Sequence, residues 1–394
     1  MPQTVLTVNA GSSSLKFALF DAGAAGPATA RGEIADLGAS PHLVAHDAAG
    51  AVLAEQRWPA GLADPFAIVL EALLAFAETH LGKGGLAAVG HRIVHGGADH
   101  IAPARITPAL LAALEALTPL DPLHLPHNIT PIRAVAAARP ALPQVACFDT
   151  AFHHTLPPVA RWFGLPRALE AAGVRRYGFH GLSYEYIAAQ LRKQSPALAR
   201  GRVIAAHLGS GASLCALQDG RSIATTMGFS TLDGLVMATR CGSLDPGVIL
   251  YLGRQGHSFA EIEDMLYHRS GLLGVSGISG DIRELLTSED PRAREAIELF
   301  TYRIATEAGA LVSTLGGLDG LVFTAGIGEH APAIRAAICA RLAWLGLRLD
   351  ATANAANGHC ISTPDSVIEA RVIATDEEAM IAHHTKAVID GPPP

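Results

Sequence analysis

The stretch Val5-Leu-Thr-Val8, Asn9-Ala-Gly-Ser-Ser-Ser14, Leu15-Lys-Phe-Ala-Leu-Phe20 is written a second time as Val203-Ile-Ala-Ala-His-Leu208, Gly209-Ser-Gly-Ala-Ser213, Leu214-Cys-Ala-Leu217. Each copy reads as strand, small-residue turn, strand, because short β-rich apolar runs bounded by Gly and Ser favour hairpins. A turn of Gly and Ser offers backbone N–H groups and hydroxyls to an anion with no bulky side chain in the way. The repetition predicts two halves of one α/β design that together grip a polyphosphate.

Working outward, an amphipathic helix is expected around Pro65–His80, then a strand into His91-Arg-Ile-Val-His-Gly-Gly97. Residues 107–118 and 129–139 have helical composition, and Gln144-Val-Ala-Cys-Phe148 reads as a strand ending at Asp149. In the second half, helix is expected over 246–270 and 290–315, a buried strand over Leu321–Thr324, a helix opening at about Pro332, and a strand over Ala370–Thr375. Alternating strands and helices make this α/β material. At 394 residues the chain exceeds the size at which one core keeps growing, so two domains of roughly 200 residues are expected. The division falls at 1–150 and 151–394, with a helix from about 375 packing back on the first domain.

Apolar residues make up 49% and charged ones 16%, enough for large cores and too oily for disorder. The most apolar stretch, Ala308 to Gly328, is broken by Asp319 and several glycines, so no membrane span is expected. Net charge is −7, from 29 basic and 36 acidic residues, with no basic block; a nucleic-acid surface is not expected. Five cysteines with no C-x-x-C spacing fit a reducing compartment. No export signal is visible at the start, and a cytoplasmic location is expected.

Arg92 and Arg240 stand in Gly-rich contexts, where a guanidinium can bind phosphoryl or carboxylate oxygens in pairs; taken singly, each also reads as a surface ion pair. Asp149 at a strand end and Glu377 at a helix start could hold Mg²⁺ through water, although Glu377 equally suits a helix N-terminus. A strand-end aspartate among apolar residues is costly without a partner. Lys16 follows the first serine turn, and His180 is bracketed by glycines. The pairs His153-His154 and His383-His384 lack a third ligand at metal spacing.

Asn9-Ala-Gly-Ser-Ser-Ser-Leu-Lys16, His91-Arg-Ile-Val-His-Gly-Gly97, Phe148-Asp-Thr-Ala-Phe-His153, Tyr177-Gly-Phe-His-Gly-Leu-Ser183, His207-Leu-Gly-Ser-Gly-Ala-Ser213, Thr239-Arg-Cys-Gly242 with Leu244-Asp-Pro-Gly247, and Phe323-Thr-Ala-Gly-Ile-Gly-Glu329 together closely resemble the acetokinase family. They come in the family's order and span almost the whole chain. The resemblance implies two duplicated ribonuclease H-like domains of the actin, Hsc70 and sugar kinase type with a cleft between them. It implies the reaction acetate + ATP ⇌ acetyl phosphate + ADP, with Mg²⁺ or Mn²⁺, and a homodimer. By position, Asn9, Arg92, His180 and Arg240 would surround the transferring phosphoryl group, with His124 nearby. Asp149, Glu377 and Asn9 would serve the metal, and Ser12, Ser14 and Lys16 the first loop. Nucleotide contacts would come from His207, Leu208, Gly209, Ser210 and Gly211, from Asp281, Ile282 and Arg283, and from Gly326, Ile327, Gly328, Glu329 and His330. Val94, Leu123, Phe179 and Thr231 would wall a small acyl pocket.

The sequence departs from the family pattern at Thr231, where many members carry proline, at Ser210, usually asparagine, at His330, and in the flank of His124. Propionate or butyrate as acceptor is the near alternative, since one methylene is worth only about 1–3 kcal/mol. An ATP-driven conformational module of the same superfold is the distant alternative, and it has no need of Arg92, Arg240 and His180. The inventory suits a carboxylate acceptor, which is ionised at neutral pH because its pKa is about 4 and so requires no general base.

Overall fold

The first hairpin forms as read: β1 (Thr4–Ala10) runs antiparallel to β2 (Leu15–Asp21), with Asn9 opposite Lys16. The computed structural model describes residues 4–11, 13–22, 26–62, 65–80 and 85–391; Ser12 lies outside them. Strands β3 (Ala30–Ala35), β4 (His42–Asp47) and β5 (Val52–Arg57) continue the meander. On the other side of β1 come β6 (Leu86–Ile93) and β8 (Gln144–Phe148), both parallel to it, with the short β7 (Ala104–Arg105) at the edge.

The second hairpin builds β9 (Arg202–Leu208) and β10 (Ala212–Gln218), extended by β11 (Arg221–Thr225) and by the parallel strands β12 (Gly320–Thr324) and β13 (Glu369–Val372). The sheets run β5-β4-β3-β2-β1-β6-β8-β7 and β11-β10-β9-β12-β13. Without β4, β5 and β7 the first is β3-β2-β1-β6-β8, which matches the second strand for strand in order and direction. The repeated hairpin is therefore the opening of a repeated five-stranded mixed sheet.

The chain divides into a unit of residues 1–152 with 376–394 and a unit of residues 153–375. In the first, Leu6, Val8, Leu15 and Phe17 meet Val69, Leu70, Leu73 and Leu74 of the helix Pro65–His80, whose buried positions fall on one face. The helix Glu377–Asp390 packs on β1, β6 and β8. A side chain at Gly90 of β6 would stand 2.1 Å from Thr385 Oγ1, so glycine sets that close approach.

In the second unit the helix Pro291–Leu315 buries Ala293, Ala296, Phe300, Ile304, Ala308, Leu311 and Leu315, a three-to-four spacing. Asp290 caps its start and Gly316, φ 69°, ends it, as left-handed glycine commonly does. Two expectations are corrected. Residues 246–270 form two helices, Pro246–Arg254 and Phe259–His268, parted at Gly256 (φ 97°) and restarted by a Ser258–Glu261 capping box. The turn after β12 does not wait until Pro332: a short helix, Ala325–His330, follows directly, and Pro332–Arg341 is the next helix. Thr324 is extended, Ala325 is left-handed at φ 63°, and the Glu329 carboxylate accepts the Ala325 N–H at 2.8 Å, closing the turn.

Candidate active site

Parallel strands present their carboxyl ends on one edge of a sheet, where side chains from loops converge. In the first unit this edge gathers Asn9 at the end of β1, Arg92 at the end of β6 and Asp149 just past β8. Arg92 donates to Asp149 Oδ2 from Nε (3.0 Å) and Nη2 (2.6 Å), and from Nη1 to Asn9 Oδ1 (3.1 Å). The first turn of the helix Glu377–Asp390 joins them: Asn9 Nδ2 donates to Glu377 Oε2 and Glu378 Oε1, each at 3.3 Å, and Glu377 Oε2 is 3.9 Å from Arg92 Nε. The Asp149 side chain is fully buried. Burial opposes the charge on Arg92, but the carboxylates of Asp149 and Glu377 outweigh it and hold the guanidinium firmly protonated. For Glu378, burial and then the neighbouring Glu377 raise the pKa above the ordinary carboxylate value.

Beside this cluster, Asn128 accepts the Val94 N–H at 2.8 Å and donates to the Ala10 carbonyl at 2.9 Å. It ties the loop after β6 to the end of β1. His124 Nδ1 meets Asp121 Oδ1 at 2.7 Å. Val94 is buried and Leu123 half-buried in this unit, whereas Phe179 and Thr231 are buried in the other. Lys16 lies exposed on β2, opposite Glu33 of β3. Ser14 O accepts from Gly11 N at 2.8 Å, which closes the first turn.

In the second unit His180 has φ 59° and ψ 25°, a left-handed conformation costing about 1–2 kcal/mol for a residue with a Cβ and a frequent mark of functional sites. Its Nδ1 meets Ser213 Oγ at 2.8 Å, and its ring stacks on His207 at 4.1 Å. His207 Nδ1 meets Ser183 Oγ at 2.8 Å. A side chain at Gly211 would stand 3.3 Å from His180 Nε2 and 3.8 Å from Arg240 Nη1, so both side chains face the Gly209–Gly211 loop. Arg240 is aimed by its Nη1, which donates to the Thr231 carbonyl at 3.0 Å. Thr231 Oγ1 is buried without a hydrogen-bond partner.

A cavity of about 660 Å³ is lined by Gly209 and Ser210, by Asp281, Ile282 and Arg283, and by Gly326, Ile327 and His330. Its size falls in the range of small-molecule sites, and it joins three segments that sequence reading assigns to nucleotide. Asp281 caps the helix Ile282–Thr287 by accepting from Arg283 N at 2.8 Å, and the two side chains pair. Glu329 turns inward: its Oε1 accepts from Ala325 N and, at 3.0 Å, from Thr375 N.

Sequence reading passes over Arg335. It is fully buried, and its guanidinium donates to the carbonyls of Gly328, Glu329 and Asn354 and to the side chains of Asn354 and Asn357. It clamps the carbonyl end of the short helix Ala325–His330. The only sequence signal is an arginine at an otherwise apolar helical position.

The family model described as the acetokinase family matches residues 4–383. An acetate kinase of Rhodopseudomonas palustris is 54% identical over 99% of this chain and 100% of its own length. Among solved structures, a propionate kinase from Francisella tularensis superposes with a TM-score of 0.89 at 37% identity, covering 97% of this chain and 98% of its own. Acetate kinase from Porphyromonas gingivalis gives 0.86 at 34% identity, covering 98% and 99%.

Proposed function

The chain belongs to the acetokinase family, and from that membership we propose that it is an acetate kinase, passing the terminal phosphoryl group of ATP reversibly to acetate to give acetyl phosphate and ADP. The observation that carries this reading is the part-buried Asn9–Arg92–Asp149–Glu377 cluster: a cation braced by carboxylates, one of them fully buried, at converging strand ends.

Acetate brings its own nucleophilic oxygen, already ionised at neutral pH. The difficulty is the approach of one anion to another, so catalysis is positioning and charge stabilisation. We assign Arg92, Arg240 and His180 to the oxygens of the transferring phosphoryl group, with Asn9 orienting Arg92. The 660 Å³ cavity is assigned to the nucleoside. Asp149 and Glu377, oxygen donors suited to a hard cation, would hold Mg²⁺ or Mn²⁺ through water, and the ion would offset phosphate charge. His124, Ser14 and Lys16 are assigned supporting places around the first loop.

The reading is tested by trapping acyl phosphate with hydroxylamine under Mg·ATP, with acetate, propionate and butyrate as acceptors. Acetohydroxamate is the expected product, and ATP turnover indifferent to any carboxylate would refute the assignment. Acyl-chain choice is assigned in part to Thr231. An unpaired buried hydroxyl costs on the order of 1–3 kcal/mol, so Thr231→Val makes the pocket more apolar at nearly constant shape. The propionate-to-acetate ratio of kcat/KM is expected to rise about tenfold; an unchanged ratio removes Thr231 from the pocket.

A homodimer completes the proposal. The helix Pro246–Arg254 buries none of its residues, and Leu250 and Tyr251 on it are exposed, as is Phe259 at 88%. Such an apolar surface calls for a partner, which we take to be a second copy of the chain. Sedimentation should give the dimer mass, and Leu250→Asp with Phe259→Asp the monomer mass; a monomeric parent protein would refute it.

A further inference from the structure

We infer that His153 is a positioning residue for phosphoryl transfer, holding His180 in its left-handed conformation through the carbonyl of Phe179. The inference rests on the assignment of His180 to the transferring group.

His153 is the first residue of the second unit and is 1% exposed. Its Nε2 lies 2.9 Å from the Phe179 carbonyl and its Nδ1 2.8 Å from Ser222 Oγ. A carbonyl oxygen only accepts, so Nε2 carries the proton; Nδ1 is then a bare lone pair, filled by the Ser222 hydroxyl. Cys215 Sγ in turn donates to Ser222 Oγ at 3.3 Å, orienting that hydroxyl towards the ring. Burial pushes the His153 pKa down to about 4, so the ring stays neutral and the tautomer is fixed at working pH.

The carbonyl that His153 holds belongs to the peptide unit entering His180. Fixing that plane fixes the starting direction for a φ of 59° that no side-chain contact alone would enforce. Gly178, two residues before His180, is also left-handed, and a side chain there would stand 2.7 Å from the His153 ring, so the loop passes close against the imidazole. Tyr184 packs edge-on against the same ring at 5.7 Å, and its hydroxyl meets Ser213 Oγ, the partner of His180 Nδ1. His180 is thus held by its backbone through His153 and by its side chain through Ser213.

The test compares His153→Leu and His153→Gln, alone and combined with His180→Ala, in the acetohydroxamate assay. The leucine variant is expected to lower kcat about 30- to 100-fold, with KM for ATP and acetate within about twofold, because a misplaced group fails in the transition state rather than in binding. The glutamine variant keeps an N–H near the Nε2 position and is expected to recover to within about fivefold of the parent. In the His180→Ala background, His153→Leu should cost less than about twofold. An equal loss in both backgrounds, or full turnover in His153→Leu, overturns the inference. Should the leucine variant not fold, Ser222→Ala frees the tautomer while keeping the ring; it should lower kcat about fivefold, and that loss should vanish without His180. A Ser222→Ala loss that persists in the His180→Ala background overturns the inference equally. A parent protein that makes no acetohydroxamate sinks the underlying kinase assignment instead.

Discussion

Arg92→Ala is expected to lower turnover by roughly 10²–10³, the usual result of removing one preorganised donor from a dry site. It is also expected to destabilise the protein by about 3–5 kcal/mol, because it leaves a buried carboxylate uncompensated. The two losses have separate origins. Asp149 is fully buried and takes two hydrogen bonds from Arg92, at 2.6 and 3.0 Å. Adding Asp149→Asn to Arg92→Ala removes the orphaned charge, so calorimetry should show the melting temperature largely restored while hydroxamate formation stays as low as before or falls further. If the single variant melts like the parent, Arg92 does not compensate a buried Asp149 charge; if it turns over like the parent, Arg92 is not a phosphoryl ligand.

Acid is expected to destabilise this fold steeply between pH 6.5 and 4. His91 and His153 are both pushed down to about 4 by burial, whereas the unfolded chain titrates its histidines near 6.5. Their native pKa values are depressed, so the unfolded state binds more protons in this window and stability falls as pH falls. His91 Nε2 faces Gln144 Oε1 at 2.8 Å, while the Gln144 amide donates to the Ile132 carbonyl. The amide orientation is thereby set, and His91 must be the neutral Nε2–H tautomer. At about 1.4 kcal/mol per pH unit for each proton, the pair costs on the order of 6 kcal/mol by pH 4, comparable with the whole stability of a domain. Denaturant melts across this range should show His91→Gln removing close to half of the pH slope from the two histidines. A slope unchanged by that variant would mean that His91 is protonated in the native state.

What the sequence discloses is what is local. The two hairpins, the strand ending at Asp149 and the helix start at Glu377 each follow from residues adjacent in the chain, and Arg92 stands out because Gly96 and Gly97 mark the loop into which its strand leads. Asn128, Arg335 and His153 do not announce themselves, since each acts on backbone far away: Asn128 on Ala10, Arg335 on the Gly328 and Glu329 carbonyls, His153 on Phe179. The sequence shows Arg335 only as an arginine at an otherwise apolar helical position and His153 only as one of a histidine pair, and neither context names the backbone that the side chain holds. The helix beginning at Ala325 is missed for a similar reason. A left-handed alanine is unfavourable locally, and the Glu329 carboxylate that makes it tolerable is itself held by Thr375, well beyond the turn.

The first unit is interrupted by the whole of the second, and this has a consequence for the order in which the protein matures. At synthesis rates of about 5–20 residues per second, Glu377 is polymerised some 10–45 s after Asp149. Over that interval residues 153–375 are made as one continuous stretch, complete only when Thr375 is added, although the last residue lining the cavity, Ala331, comes earlier. The cluster around Arg92 waits for Glu377 and Glu378, which close it through Asn9. The second unit is therefore complete only as the helix Glu377–Asp390 begins, and the first unit, opened by the earliest residues made, is closed by the last helix to be made.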